Sequence, residues 1–169
     1  MLIFLVFRLT HCYLIEYIPE FQIPPTQRQH PSMSSDSNSL IVFGGSYEGF
    51  YSNEVWKFSI LDRVWEQNSI STNTAPAKRV NAGSFTTPDY KSFCIFAGLG
   101  EKGPLQDLWC YKIDGLRVSV TQWYEVQTSG EIPSPRYRFG YTQAKFNGTH
   151  YFFLFGGKTF KTLSNELFG

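Results

Sequence analysis

Net charge, cysteine, histidine and long apolar runs are all scarce in this chain. Its 15 Lys and Arg residues nearly balance 14 Asp and Glu, for a formal net charge of +1. That balance gives no strong pull on nucleic acid or on an anionic membrane surface, so neither is an expected partner. No run of like charges reads as a binding tail. The three cysteines, Cys12, Cys94 and Cys110, are odd in number and irregularly spaced, which does not suggest a disulfide framework. Cys94 in "FCIFAG" and Cys110 in "LWCYK" sit in apolar stretches and are expected to be buried free thiols. A reducing, cytoplasmic location follows as an expectation. The apolar run after Met1 ends at Arg8, too early to span a bilayer. It also lacks the preceding basic residues and small-residue cleavage site of a secretory signal. Residues 1–12 are therefore left as an unassigned terminal segment; were they a signal, the secretory pathway would be the alternative location. Helical periodicity with caps is missing as well.

What the chain has is aromatic bulk, at 18% of residues within 42% hydrophobic, ample for the core of one domain of 169 residues. That bulk is placed by a repeat. Gly44-Gly45, Ala97-Gly98 and Gly156-Gly157 are separated by steps of 53 and 59 residues. "SNEVWKF", "LQDLWCY" and "LSNELF" follow them, and Trp56, Trp109 and Phe168 show the same two steps. A proline-containing loop with an arginine precedes each pair: Arg28, Arg79 and Arg136. A later tryptophan, Trp65 or Trp123, completes the first two copies. "SLIVFGG", "SFCIFAG" and "HYFFLFGG" are short apolar runs ended by glycine, the pattern of strands buried on both faces. Each follows a turn signal, and Asn147-Gly148 favours a type I′ hairpin.

Each unit thus predicts four strands, a to d, with b ending at the glycines and c and d carrying the tryptophans. Four antiparallel strands per repeat of about 50 residues predict a propeller blade. The glycines let strand b turn sharply where backbones approach closely, and the tryptophans are expected to fill the space between blade sheets.

The sequence resembles kelch repeats. The resemblance rests on Gly44-Gly45, Gly156-Gly157, the aromatics Phe58 and Tyr111, and Trp65 and Trp123. It departs in the second copy, where Ala97 replaces a glycine and "KIDGLRVSVTQ" lengthens the segment before Trp123. It covers roughly residues 13–169: blade 1 at 28–68, blade 2 at 79–127, a partial blade 3 at 136–169, and 13–22 as strand d of a preceding blade. The fold class expected is all-β, an incomplete kelch-type propeller. A three-blade ring would be too tight to pack, so the chain is expected to be part of a longer kelch protein with further blades, or to close by self-association.

Antiparallel strands bring the d–a loops, which carry the arginines, and the b–c loops, which follow the glycines, to one rim. Loops on a rigid scaffold are where binding residues concentrate, and the resemblance implies a protein- or peptide-binding platform using them. What repeats is read as structural: the three arginines, Gly44, Gly45, Gly98, Gly156, Gly157, Trp56, Trp65, Trp109 and Trp123. An acid also repeats, at Glu54, Asp107 and Glu166, and is the expected partner of each arginine, beside loop carbonyls. What does not repeat is free for recognition: Tyr47, Phe50, Tyr51, Glu101, Lys102, Arg138, Lys158 and Lys161, whose types suit interface anchors.

Catalysis, cofactors and metals are not expected. Some kelch-like propellers are copper oxidases, but His30 lies in a d–a loop and His150 at the far end of a strand b, poorly placed to share an ion. No nucleophile-elbow, zinc-helix or phosphate-cradling motif occurs. An enzyme with its active residues outside this chain is the alternative, as is a secreted kelch segment, for which Asn147-Gly148-Thr149 is a formal glycosylation sequon.

Overall fold

The computed structural model describes residues 23–68, 75–113 and 123–169. The proposed strand at 13–22, the segment 1–12 and Cys12 lie outside them. Every described element is a strand; twelve of the fourteen fall into three successive antiparallel sheets, and the other two form a small separate hairpin. The first sheet takes β1 (Ser32–Ser35), β2 (Ser39–Phe43), β5 (Val55–Ser59) and β6 (Val64–Asn68) in the order β1-β2-β5-β6. A small hairpin, β3 (Ser46–Tyr47) with β4 (Phe50–Tyr51), lies between β2 and β5. The second sheet has β7 (Arg79–Val80) and β8 (Gly83–Thr86) both paired to β9 (Ser92–Gly100), then β10 (Gly103–Lys112) and β11 (Trp123–Glu125). The third is β12 (Gly140–Phe146), β13 (Thr149–Phe155) and β14 (Leu167–Phe168).

Local chemistry explains the turns. Asp36 accepts the backbone N–H groups of Asn38 and Ser39, closing the β1–β2 turn. Asn147 and Gly148 take φ of 47° and 82° between β12 and β13, the doubly positive geometry of a type I′ hairpin. Gly44, at φ 67°, needs its missing side chain: a Cβ there would stand 2.7 Å from the Arg79 carbonyl oxygen of the next sheet. Ala97 adopts the same left-handed backbone at φ 58°, so the substituted copy keeps the geometry at a modest conformational cost.

Two apolar layers join the sheets. Ile41, Phe43 and Val55 pack on Phe93, Ile95 and Trp123; Phe96 and Ala97 pack on Phe139 and Leu154. Trp123 sits edge-on to Phe43 with ring centroids 5.1 Å apart, so it fills the gap between sheets. Strands β1 and β8 are rich in Ser, Thr and Gly. Direct side-chain bonds cross between the sheets: Ser32 Oγ donates to the Ala82 carbonyl, Ser84 Oγ to that of Met33, and Gln143 Nε2 of β12 to that of Thr86.

Three details depart from the sequence reading. β9 does not stop at Ala97-Gly98 but continues to Gly100, because Leu99 and Gly100 pair with Val80 and Arg79; the irregularity moves to a bulge between Leu105 and Leu108 in β10. β13 is buried on one face only, Leu154 being buried and Phe155 exposed. Finally, Cys94 and Cys110 are not free thiols. They face each other in the β9–β10 register with Cα atoms 4.0 Å apart and form a disulfide. Alkylation of the unfolded, unreduced protein should leave both unmodified. Cys110→Ser should lower stability by about 2–4 kcal/mol, the range for a loop of this size. Labelling of either cysteine before reduction would contradict the bond.

Candidate functional site

The three arginines organise one rim of the molecule. Arg28 Nε donates to the Thr26 carbonyl, Nη1 to that of Gly44 and Nη2 to Glu54 Oε2 at 2.9 Å. Arg79 makes the same set with the Ala77 and Ala97 carbonyls, and its two Nη atoms grip both Asp107 oxygens at 2.6 and 2.8 Å. Arg136 repeats it with the Ser134 and Gly156 carbonyls and with Glu166 at 2.7 Å. In each copy a planar guanidinium ties its own d–a loop, the glycine turn after strand b and the start of strand c into one knot. Its fixed fork of donors suits three fixed acceptors at once. Trp56 and Trp109 have a role beyond packing: each donates its indole N–H to the acid, Glu54 or Asp107. The third copy has Phe168 there instead, and Ser164 Oγ supplies the hydrogen bond to Glu166.

The acids titrate accordingly. Burial pushes the Glu54 carboxyl up, but hydrogen bonds from Arg28 and Trp56 outweigh it and hold the group below the usual 4.5. Glu166 is held below 4.5 by its hydrogen bonds from Arg136 and Ser164. A carboxyl whose pKa is depressed by folding contributes stability that is full above its unfolded value and lost as pH falls through the folded value. The denaturation midpoint should therefore be flat near neutrality and fall below about pH 4.5. Glu54→Gln with Glu166→Gln should flatten that acid limb; an unchanged limb would contradict the assignment.

With their bases knotted, the loops project outward. Tyr47 and Phe50 pair across the β3–β4 hairpin, with Phe50 78% exposed. Tyr51 is half-buried beside them. Glu101 and Lys102 form the exposed β9–β10 tip. Lys158 and Lys161 lie on the loop after Gly157, where Lys158 shares two backbone bonds with Tyr137. Arg138 is exposed, with its guanidinium over the Tyr137 ring. The structure thus gathers these residues on the arginine rim in two groups. Tyr47, Phe50 and Tyr51 belong to the first sheet. Lys102, Lys158 and Lys161 lie where the second sheet meets the third, with Glu101 and Arg138 nearby.

Phe160 and Leu163, both exposed, were not among the sequence candidates. Phe160 lies against Gly103, where any Cβ would collide with its ring, and so bridges the loops of two units. An open groove of about 530 Å³ runs beside it, lined by Ser134, Pro135 and residues 159–166. A single aromatic amid "GGKTFKTLS" was the only available signal. His30 is in the d–a loop of this rim, whereas His150 lines a cleft at the opposite end. No group of three or more metal-ligating side chains occurs among the described residues.

Residues 5–168 match the KLHDC2/KLHL20/DRC7 Kelch-repeats domain. The chain belongs to that Kelch-repeat family. No curated protein matches it. Kelch-repeat domains are commonly protein-binding modules and typically non-catalytic. Each of the three main sheets is one Kelch repeat unit, a blade.

Proposed function

We propose that this Kelch segment is a non-catalytic interaction module presenting its d–a and b–c loops to a protein or peptide partner. The observation that carries the reading is the exposure of Tyr47, Phe50, Phe160 and Leu163 on loops whose bases are each fixed by a buried arginine. Aromatic side chains held out by a rigid frame lose little entropy on binding, which is what interface anchors require. Lys102, Arg138, Lys158 and Lys161 outnumber the exposed acids Glu101 and Glu131 around the blade 2–3 loops, which favours a partner with acidic residues beside an apolar one.

The test is selection of binders from a random displayed peptide library on the purified chain. Phe50→Ala or Phe160→Ala should weaken the selected peptides at least about tenfold, with the unfolding transition unmoved. Binders indifferent to both substitutions, and to Tyr47→Ala, would sink the reading.

The Cys94–Cys110 bond favours a second reading on location, an oxidising compartment rather than the cytoplasm expected from the odd cysteine count. Asn147 is exposed at its hairpin tip, so secretion of the natural protein should place a glycan there. A mass unchanged by glycosidase would support the cytoplasmic proposal instead.

A further inference from the structure

The apolar packing between blades 2 and 3 stops short of the end opposite the arginine rim. Side chains alternate along a strand, so Tyr141, Gln143 and Lys145 share one face of β12. That face looks onto blade 2: Tyr141 Oη meets Ser84 Oγ at 3.4 Å, and Gln143 Nε2 donates to the Thr86 carbonyl at 2.8 Å. On β13, Leu154 packs with Phe96, and the Phe152 ring lies 4.7 Å from that of Phe85. Lys145 continues this row. His150 stands directly opposite it in the β12–β13 register, hence on the same face. Here the two blades part, and an open cleft of about 350 Å³ takes the place of packing.

The chemistry of the cleft is one-sided. Lys145 and His150 both line it, and no Asp or Glu does. The acids of the neighbouring turns are engaged within them. Asp89 accepts the Thr87 hydroxyl and the Lys91 N–H, and Asp36 accepts the N–H groups of Asn38 and Ser39. Blades 1 and 2 add hydroxyls to the lining, Ser34 Oγ and Thr86 Oγ1, which meet at 2.8 Å. Among the described residues, neither the Lys145 nor the His150 side chain has a hydrogen bond or an ion pair. Two cationic groups directly opposite each other repel, and an anion between them removes that cost.

Tyr90 also lines the cleft. It is 57% exposed and takes φ 57°, in the left-handed region where an aromatic residue is strained. In the matching hairpin of blade 3, Asn147 and Gly148 hold the left-handed positions, at much lower cost. Blade 2 thus keeps an aromatic ring at the cleft against backbone preference and without burying it. Strain kept without a packing return is a pointer to function.

We propose that this cleft binds a phosphate monoester carried on a ring. Lys145 and His150 take the phosphate, which brings about two negative charges and three strong acceptor oxygens, and Tyr90 stacks on the ring beside it. The site lies at the opposite end of the blades from the loops proposed to hold a peptide and is independent of that reading.

The experiment is calorimetric titration of the purified chain with AMP and with O-phosphotyrosine, each beside its unphosphorylated parent, adenosine or tyrosine. At least one phosphorylated probe should bind, and its parent should bind at least about tenfold more weakly. Binding of AMP alone identifies a free nucleotide as the source, binding of phosphotyrosine alone a modified protein side chain, and binding of both the phosphorylated ring itself. Lys145→Ala should weaken the bound probe about tenfold with the unfolding transition unmoved. Tyr90→Gly should weaken it without lowering the transition midpoint, because glycine adopts this backbone freely. Silence from both phosphorylated probes, a parent that binds equally well, or a bound probe indifferent to Lys145→Ala or to Tyr90→Gly each overturns the proposal.

Discussion

Replacing Arg79 with alanine is expected to cost the fold about 3–5 kcal/mol, the range for breaking a buried ion pair by removing one partner. The Arg79 side chain is fully buried and holds both oxygens of Asp107, whose own side chain is 24% exposed. Removal also strands the buried Ala97 carbonyl, which loses its guanidinium donor. Lysine is no remedy, since an ammonium on a flexible stem cannot reproduce a planar fork aimed at three acceptors. Arg28→Ala should cost less, because the Glu54 it leaves behind is 41% exposed and partly solvated. Denaturant unfolding of the two variants beside the parent checks both the size and the order. A loss under about 1 kcal/mol for Arg79→Ala would place that pair among ordinary surface ion pairs and contradict its structural role.

The second large effect is expected in the apolar layer between blades 1 and 2. Phe43→Ala should cost about 3–5 kcal/mol, combining lost transfer energy with the cavity left beside Trp123, Ile95 and Phe93. The cavity will not readily collapse, because the Phe43 strand is fixed on one side by β1 and on the other by β5. Phe50→Ala, the same chemical change on an exposed hairpin tip, should stay within about 0.5 kcal/mol of the parent. Equal losses at the two positions would mean that the blade-to-blade layer does not carry the stability.

Much of this was legible in the sequence because repetition marks what the frame requires. The arginine, the glycine turn and the acid recur at matched spacing, and the structure brings those three together in every copy. The alternation of Ile41 and Phe43 with Leu40 and Val42 already implies a strand with two apolar faces. The Cys94–Cys110 bond was not legible, because it depends on the register of one hairpin. Sixteen residues separate the two cysteines, and the bulge in β10 shifts which residues face each other. An odd total pointed the wrong way, since one cysteine can stand outside a pair. The path of β9 beyond Gly98 was hidden for a related reason: the pairing of Arg79 and Val80 with Gly100 and Leu99 extends a strand through residues that elsewhere form the turn. Phe160 escaped notice because nothing local separates an aromatic that leans on a neighbouring loop from one that simply faces solvent.

The measurement closest to the centre of this account is hydrogen–deuterium exchange of the chain with and without a library-selected peptide. New protection is expected at 46–54, 100–107 and 158–166, the loops that the arginine knots hold on one rim. Protection concentrated instead at 36–39, 87–91 and 147–149, the turns at the opposite end of the blades, would contradict it.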